Sequence, residues 1–114
     1  MSDVIVDSLV KSTLELADVP VSRIKYSGSE TTYIVYQRIL GQEAAHADDD
    51  NTAYEHYYRA SIYTKSSYFD LLAKVMKSLK AAGFYSISVN AEIYENNTGF
   101  HHVSIDFNYM EECE

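Results

Sequence analysis

Sulphur, proline and glycine are scarce in this chain, which has one cysteine, one proline, four glycines and no tryptophan. A single cysteine, Cys113, excludes a disulfide within the chain and argues against a disulfide-stabilised secreted fold. The few glycines form no phosphate-binding run. The 114 residues suffice for one domain, residues 1–114, with a core of its own.

Basic residues are also few: nine Lys and Arg stand against 17 Asp and Glu, a net charge of −8. Nucleic-acid binders normally carry a basic surface that displaces counterions, so sequence-specific DNA binding is disfavoured. No apolar run approaches the roughly 20 residues that span a bilayer. The first residues lack the basic-then-apolar pattern of a signal peptide. We therefore expect synthesis in the cytoplasm and no membrane partner.

Catalytic and metal-binding motifs are missing as well. The sequence contains no GxSxG elbow, no HExxH and no regular Cys/His spacing. His101 and His102 are adjacent in a predicted strand, so they point to opposite faces. An EF-hand register from Asp48 has Ala53 where glycine is needed and Arg59 where glutamate belongs. We therefore expect that the protein is not an enzyme and that it binds no cofactor and has no dedicated metal site. A weak divalent-ion site in the acidic loop stays open as an alternative.

The N-terminal segment, residues 3–17, has the periodicity of an amphipathic helix. Val6, Val10 and Leu14 fall on one apolar arc at about 100° per residue. Pro20 stops the helix, because proline disfavours helical geometry in the residue before it.

A second amphipathic helix is predicted over residues 67–82. Ser67 and Asp70 have the spacing of a capping box, and Gly83 suits the left-handed residue that ends helices. The apolar stripe predicts that Leu72→Ala costs about 2–5 kcal/mol. Its members are Tyr68, Leu71, Leu72, Val75, Leu79 and Ala82.

Alternating apolar and polar residues predict the strands. They are placed at 31–40, 52–64, 85–93 and 103–109, with 23–26 as a short candidate. Residues 41–51 are predicted to be an acidic loop, and residues 111–114 a disordered tail. The order α-β-β-α-β-β favours an α+β fold, an antiparallel sheet of about four to five strands with two helices packed on one face.

Tyrosine is the most unusual component, with 11 residues. Tyrosine suits strands, and it is also enriched in interfaces because it covers area and keeps a polar tip. The strand at 52–64 carries the candidate subunit-contact residues, with two on each face. They are Tyr54, Tyr57, Tyr58 and Tyr63.

Three segments of the sequence resemble parts of one known family. Residues 32–36, TYIVY, resemble a family strand that usually reads PYIVF or PYIVY. Residues 57–66, YYRASIYTKS, are similar to its strand ending in IYSK. Residues 94–102, YENNTGFHH, resemble the last hairpin, which precedes a strand ending in phenylalanine, here Phe107. The likeness runs in order over roughly residues 30–110, with Thr32 where the family often has proline. In these segments the chain resembles the tail-terminator and tail-completion proteins of siphophages.

The resemblance implies a structural protein of the phage tail, made in the host bacterial cytoplasm. Members form a homo-oligomeric ring, usually of six copies, that caps the tail tube and offers a surface to head-completion proteins. DNA passes through the lumen without sequence-specific binding. The family has no catalytic motif, so it implies no active-site residues.

Within such a ring, the acidic loop is expected to project toward the lumen or toward a neighbouring protein. From Glu43 to Glu55 the sequence has five acids and no Lys or Arg. The candidate residues are Glu43, Asp48, Asp49 and Asp50. A solvated loop without a role stays the alternative.

Two other functions stay open. One is another head-completion or minor tail component of similar fold. The other is a small dimeric α+β protein whose tyrosine-rich strands line a ligand pocket between helices and sheet.

Overall fold

The computed structural model of the protein describes residues 3–45 and 52–113, which form two helices and one six-stranded sheet. The fold is α+β, as predicted from the sequence. The elements are α1 (Asp3–Glu15), β1 (Val21–Arg23), β2 (Thr32–Ala45), β3 (Thr52–Thr64), α2 (Phe69–Ala81), β4 (Tyr85–Val89), β5 (Ile93–Tyr94) and β6 (His101–Cys113).

The sheet is mixed, with the strand order β1-β2-β3-β6-β4 and with β5 also paired to β6. Strands β2, β3 and β6 form an antiparallel centre, whereas β1 runs parallel to β2. The short strand expected at 23–26 lies earlier, at Val21–Arg23. Ile24 ends it, because its φ of 72° is incompatible with an extended chain.

The core lies between the two helices and one face of β2, β3 and β6. Alternate residues of each strand point to this face, as the period of two requires. Burial of these side chains supplies the main stabilising free energy of the fold. The buried residues of the cluster include Val6, Val10, Leu14, Ile34, Tyr36, Tyr58, Ala60, Ile62, Val75, Leu79, Val103, Ile105 and Phe107.

The end of α2 is as predicted, but its start is not. Gly83 has a φ of 96°, and the amide of Phe84 donates to the carbonyl of Leu79 at 3.0 Å, which is the Schellman arrangement. The predicted capping box is wrong. The helix begins at Phe69, so Ser67 lies too early to cap it, and its hydroxyl reaches only the Phe69 amide, at 3.4 Å.

The strands are longer than the sequence predicts in two places. Residues 41–45 belong to β2 and residues 111–113 to β6, so neither the acidic loop nor the disordered tail has its predicted bounds. Both segments pair with β3. The pairing gives their backbone N–H and C=O groups partners in the sheet, whereas in a loop these groups would hydrogen-bond to water. Residues 46–51 and 114 lie outside the described residues.

The strand predicted at 85–93 is instead two strands, β4 and β5. Ser86 has a φ of 52°, and the register with β6 shifts between Tyr85 and Ser88. Val89 is 43% exposed, so the alternation that suggested one half-buried strand does not lead to burial here. The short length of β4 leaves much of β6 without a partner on that side.

Candidate functional site

Strands β2, β3 and β6 continue together well past the core. Pairing of β2 with β3 continues from Leu40 opposite Tyr57 to Ala45 opposite Thr52. Pairing of β3 with β6 continues from Tyr57 opposite Asn108 to Thr52 opposite Cys113. We call residues 40–45, 52–57 and 108–113 the distal ribbon. It makes the molecule elongated, with extents of 53 × 24 × 23 Å.

The distal ribbon has an open strand edge on each side. Strand β1 pairs with β2 only as far as Tyr36, and β4 pairs with β6 only as far as Asn108. Within residues 3–45 and 52–113, no strand lies outside β2 after Tyr36 or outside β6 after Asn108. Open edges present backbone groups that can pair with another chain.

Apolar side chains remain exposed along these two edges. Ile39 and Leu40 on β2 are each 48% exposed, and Met110 on β6 is 38% exposed. Proteins protect open edges with charged side chains, proline or bulges. Residues 37–45 and 109–113 contain no lysine and no proline, although both segments include charged residues and β2 has a bulge. The exposed apolar side chains make these two edges candidates for contact with another chain.

A bulge in β2 shapes its edge. Arg38 pairs with Tyr58 and Leu40 with Tyr57, so Ile39 is an extra residue. After the bulge the Arg38 guanidinium lies over Gly41, where a Cβ would overlap it. Arg38 donates to Asp3 at 2.9 Å and to the Tyr54 hydroxyl at 3.2 Å, which ties the edge to the start of α1.

A groove follows this edge between α1, β1 and β2. One cavity of about 360 Å³ lies beside α1, and a second of about 410 Å³ lies along the bulge. Arg23 and Arg38 line both cavities. Arg23 is the last residue of β1, so two guanidinium groups stand where the outer edge of β2 becomes open.

The sheet face opposite the helices carries a row of aromatic rings. Tyr33, Tyr63 and His102 lie in register on β2, β3 and β6, with ring centroids 5.1 and 4.4 Å apart. Tyr26 stacks on Tyr33 at 4.1 Å. Phe100 meets Tyr33 and Tyr63 edge-on at 5.8 and 6.4 Å. We call these five residues the aromatic row.

Four rings of the aromatic row, those of Tyr26, Tyr33, Tyr63 and His102, stack on one another in sequence. Because neighbours cover the ring faces of Tyr33 and Tyr63, the row is not a platform on which nucleotide bases stack. Burial and the charge of Glu95 raise the pKa of Tyr33, and burial with Tyr33 and Glu95 raises the pKa of Tyr63. A rigid set of neutral phenols suits contact with another protein, since little side-chain freedom is lost on binding.

The candidate subunit-contact tyrosines have different positions. Tyr63 belongs to the aromatic row, and Tyr57 is half-buried with its hydroxyl donating to Glu55 at 2.6 Å. Tyr54 is half-buried beside Arg38. Tyr58 was wrongly included, because it lies in the core with 1% of its surface exposed.

The candidate acidic residues separate into two groups. Glu43 lies in β2, opposite Tyr54, and not in a loop. Asp48, Asp49 and Asp50 lie outside the described residues, so their role in a projecting loop stays a prediction.

Two of the four histidines, His56 and His101, form separate pairs with carboxylates. His56 is buried, with its Nε2 3.0 Å from Glu111, and His101 Nδ1 lies 2.8 Å from Glu92. Among residues 3–45 and 52–113, no three His, Cys, Asp or Glu side chains lie close enough together to hold a metal ion. In the same part of the chain, no helix is long and apolar enough to cross a membrane.

No protein-family model matches the sequence, and no curated protein matches it either. Among solved structures, a chain from the virion of a native gene transfer agent particle is similar over 96% of this chain and 89% of that chain, with 12% identity and a TM-score of 0.48.

Two H-NOX structures are also similar. A Cs H-NOX mutant with 4-cyano-L-phenylalanine matches 93% of this chain and 45% of its own, with 14% identity and a TM-score of 0.35. A structure concerned with H-NOX activation matches 78% of this chain and 39% of its own, with 18% identity and a TM-score of 0.34. All three TM-scores lie below 0.5, so these likenesses support no conclusion about function.

Proposed function

We propose that this protein is a structural subunit of a phage or phage-like particle, and that it forms a ring at the end of the tail tube as the tail terminators do that it resembles. The observation that carries the proposal is the pair of open edges on opposite sides of the distal ribbon. A subunit with two different open edges can join copies in series, and a series that closes is a ring.

The aromatic row supports a second contact in the same particle. It lies on the sheet face opposite the helices, away from the core. Such a surface suits the tail-tube protein or a head-completion protein. Each copy adds a net charge of −8, so acids that face the lumen would let DNA pass without binding it. The proposal assigns the protein no catalysis and no cofactor.

A dimeric ligand-binding protein is the second candidate, and the cavity of about 360 Å³ beside α1 is the observation that favours it. Its polar groups already contact one another, however. Asp7 accepts hydrogen bonds from Tyr36 and Tyr58 and lies 3.5 Å from Arg23. These groups therefore have less hydrogen-bonding capacity left for a ligand, and the structural role is the better supported of the two.

The experiment that tests the proposal is the absolute mass in solution, measured by light scattering across a concentration series. A closed ring of about six copies is expected from the family resemblance. A tight dimer would favour the ligand-binding alternative. A monomer at every concentration, and also in the presence of tail-tube protein, would contradict the proposal.

Co-purification separates a tail terminator from other particle components. A terminator is expected to bind tail-tube protein, whereas a head-completion protein is expected to bind portal or connector protein. The acidic loop has its own test, in which Asp48, Asp49 and Asp50 are changed to asparagine. Normal tail length and normal head joining in that variant would exclude a role for the loop.

A further inference from the structure

A third cavity, of about 200 Å³, lies at the end of the sheet opposite the distal ribbon and beside the start of α2. Strand β3 runs from the distal ribbon to Thr64, which pairs with His101 at the start of β6. The cavity is therefore separate from the open edges and from the two cavities beside α1 and the bulge. Its lining residues are Ser66, Ser67, Tyr68, Phe69, Glu92 and His101.

The carboxylate of Glu92 is the charged group of this cavity. One of its oxygens accepts a hydrogen bond from the Tyr68 hydroxyl at 3.1 Å, and the other lies 2.8 Å from His101 Nδ1. A carboxylate has about four acceptor positions, so Glu92 can accept further hydrogen bonds. Among the described residues that line the cavity there is no lysine or arginine. The negative charge of Glu92 is thus not neutralised by a permanent cation of the lining.

Aromatic side chains form much of the remaining wall. The rings of Tyr68 and Phe69 have centroids 4.8 Å apart and are tilted by 48°, so they are not stacked face to face as the aromatic row is. Phe69 is 69% exposed, although it is a large apolar side chain. Aromatic ring faces attract cations, and in proteins the cation is most often the arginine guanidinium. A carboxylate beside exposed rings is therefore a combination that selects a cation.

The size of the cavity favours a single side chain as its occupant. Small-molecule sites usually enclose roughly 300–1,000 Å³, which is more than the volume of about 200 Å³ here. An arginine side chain has a planar cation that stacks on aromatic rings and several N–H donors that match a carboxylate. A protein that carries this arginine would also cover Phe69, which a small free cation would leave largely exposed.

We propose that this cavity binds an arginine side chain of a partner protein, with Glu92 as the ionic partner and Tyr68 and Phe69 as the aromatic contacts. The start of α2 by itself favours an anion, but Asp70 in the first turn opposes that effect. The inference does not depend on the proposed ring, because the cavity lies outside the open edges of the distal ribbon.

The test compares two probes of matched shape, N-acetylarginine methylamide and N-acetylcitrulline methylamide. Citrulline has a neutral urea in place of the guanidinium, so the difference between the probes reports the charge. Each probe is titrated into the full isotope-labelled chain, and amide chemical shifts in relaxation-optimised NMR locate the site and measure the affinity. We expect a millimolar dissociation constant for the arginine probe and about tenfold weaker binding of the citrulline probe. The shifts are expected at residues 66–69, 92 and 101.

Two variants separate the charge from the aromatic contact. Glu92→Gln keeps the shape of the side chain, and we expect it to weaken arginine binding about three- to fivefold and to leave citrulline binding unchanged. Phe69→Leu keeps an apolar side chain without the ring, and we expect a loss of about two- to fivefold. Glu15→Gln makes the same charge change on α1, which contributes no residue to this cavity, and should leave binding unchanged at physiological salt.

Equal affinity for the two probes, or shifts centred on other residues, would overturn the proposal. Equal effects of Glu92→Gln and Glu15→Gln would do the same, as would the absence of shifts at probe concentrations far above the millimolar range. Methylguanidinium tests the source of the cation. Binding as tight as that of the arginine probe would mean that the cavity takes a free small cation, and would overturn the assignment to a protein side chain.

Discussion

The Tyr58 hydroxyl donates a hydrogen bond to the Asp7 carboxylate at 3.0 Å, although Tyr58 lies in the core. Tyr36 donates to the other oxygen of the same carboxylate at 3.2 Å. Asp7 thus connects α1 to β2 and β3 and satisfies two phenols that the core would otherwise leave without an acceptor. These two hydrogen bonds, together with the buried side chains of Val6, Val10 and Leu14, fix where α1 lies on the sheet.

We expect Asp7→Ala to lower the free energy of unfolding by about 1–3 kcal/mol, because it leaves buried hydroxyls without an acceptor. Urea denaturation followed by circular dichroism measures the change. Glu15→Ala, at an exposed position of the same helix, is the matched control and should change stability by less than about 0.5 kcal/mol. A loss no larger than that of the control would contradict the assigned role of Asp7.

The free energy of unfolding should fall at alkaline pH, because Tyr36 and Tyr58 beside Asp7 keep their protons to higher pH in the folded chain. Burial and then the charge of Asp7 raise the pKa of Tyr36 to about 12, and burial raises the pKa of Tyr58. Unfolded tyrosine titrates near 10, so above about pH 10 the unfolded chain loses protons that the folded chain retains. The free energy of unfolding then falls by about 1.4 kcal/mol per pH unit for each such tyrosine.

In Tyr36→Phe the free energy of unfolding should fall less steeply with pH between about pH 10 and 12. Urea titrations at several pH values measure this slope. Tyr94→Phe is the control, because Tyr94 is 53% exposed. An unchanged slope in Tyr36→Phe would mean that this tyrosine does not titrate with the predicted shift.

Two leucines of α2 form a matched pair for core packing. Leu79 is fully buried, so Leu79→Ala should cost about 2–5 kcal/mol. Leu72 is only partly buried at the edge of the core, so Leu72→Ala should cost less than the 2–5 kcal/mol expected from the stripe alone. Thermal or urea unfolding compares the two variants, and a larger loss for Leu72→Ala would contradict the packing of α2.

Arg59 and Asp106 form a bidentate ion pair across β3 and β6, with distances of 2.7 and 3.1 Å. The hydrogen bonds from Arg59 lower the pKa of Asp106, so this stabilisation is present above the carboxyl's unfolded pKa and is lost as the pH falls through its folded pKa. Both side chains are partly exposed, so Asp106→Asn should cost at most about 1 kcal/mol at pH 7. The cost should decrease as the pH falls through the lowered pKa of Asp106. A double-mutant cycle with Arg59→Gln measures the pair, and a coupling that persists at low pH would contradict the assignment.

Tyr63 tests the aromatic row as a contact surface. Tyr63→Ala removes the central ring, and we expect binding to the particle partner to weaken at least about tenfold, as for a tyrosine at the centre of an interface. Tyr94→Ala removes an exposed tyrosine outside the row and should leave binding unchanged. Binding to tail-tube or head-completion protein is the measurement, with circular dichroism to confirm that both variants fold. Equal binding by the two variants would exclude the row from the interface.

Much of the fold follows from local pattern. The alternation over residues 52–64 predicts both bounds of β3 and places Tyr58, Ala60 and Ile62 on one face of the strand, and the structure shows that this face is the buried one. The periodicity of the two helical segments and the position of Gly83 are also read from local sequence, because helix faces and left-handed turns depend on residues three to four positions apart. The α+β class follows from the order of these elements.

The distal ribbon could not be predicted in the same way. Residues 41–45, GQEAA, have little intrinsic preference for a strand, and pairing with β3 is what makes them one. The end of β6 is strand for the same reason. Sequence alone therefore assigned a loop and a tail to the two segments whose open edges now carry the proposed function.

By itself, the sequence determined the class of the fold, its helices and the alternating faces of its long strands, because each depends on neighbours close along the chain. Only the tertiary structure decided that Tyr58 belongs to the core and that Tyr33, Tyr63 and His102 stack in one row. Those relationships depend on the register between strands that lie far apart in sequence. A shift of one residue would send each side chain to the opposite face of the sheet.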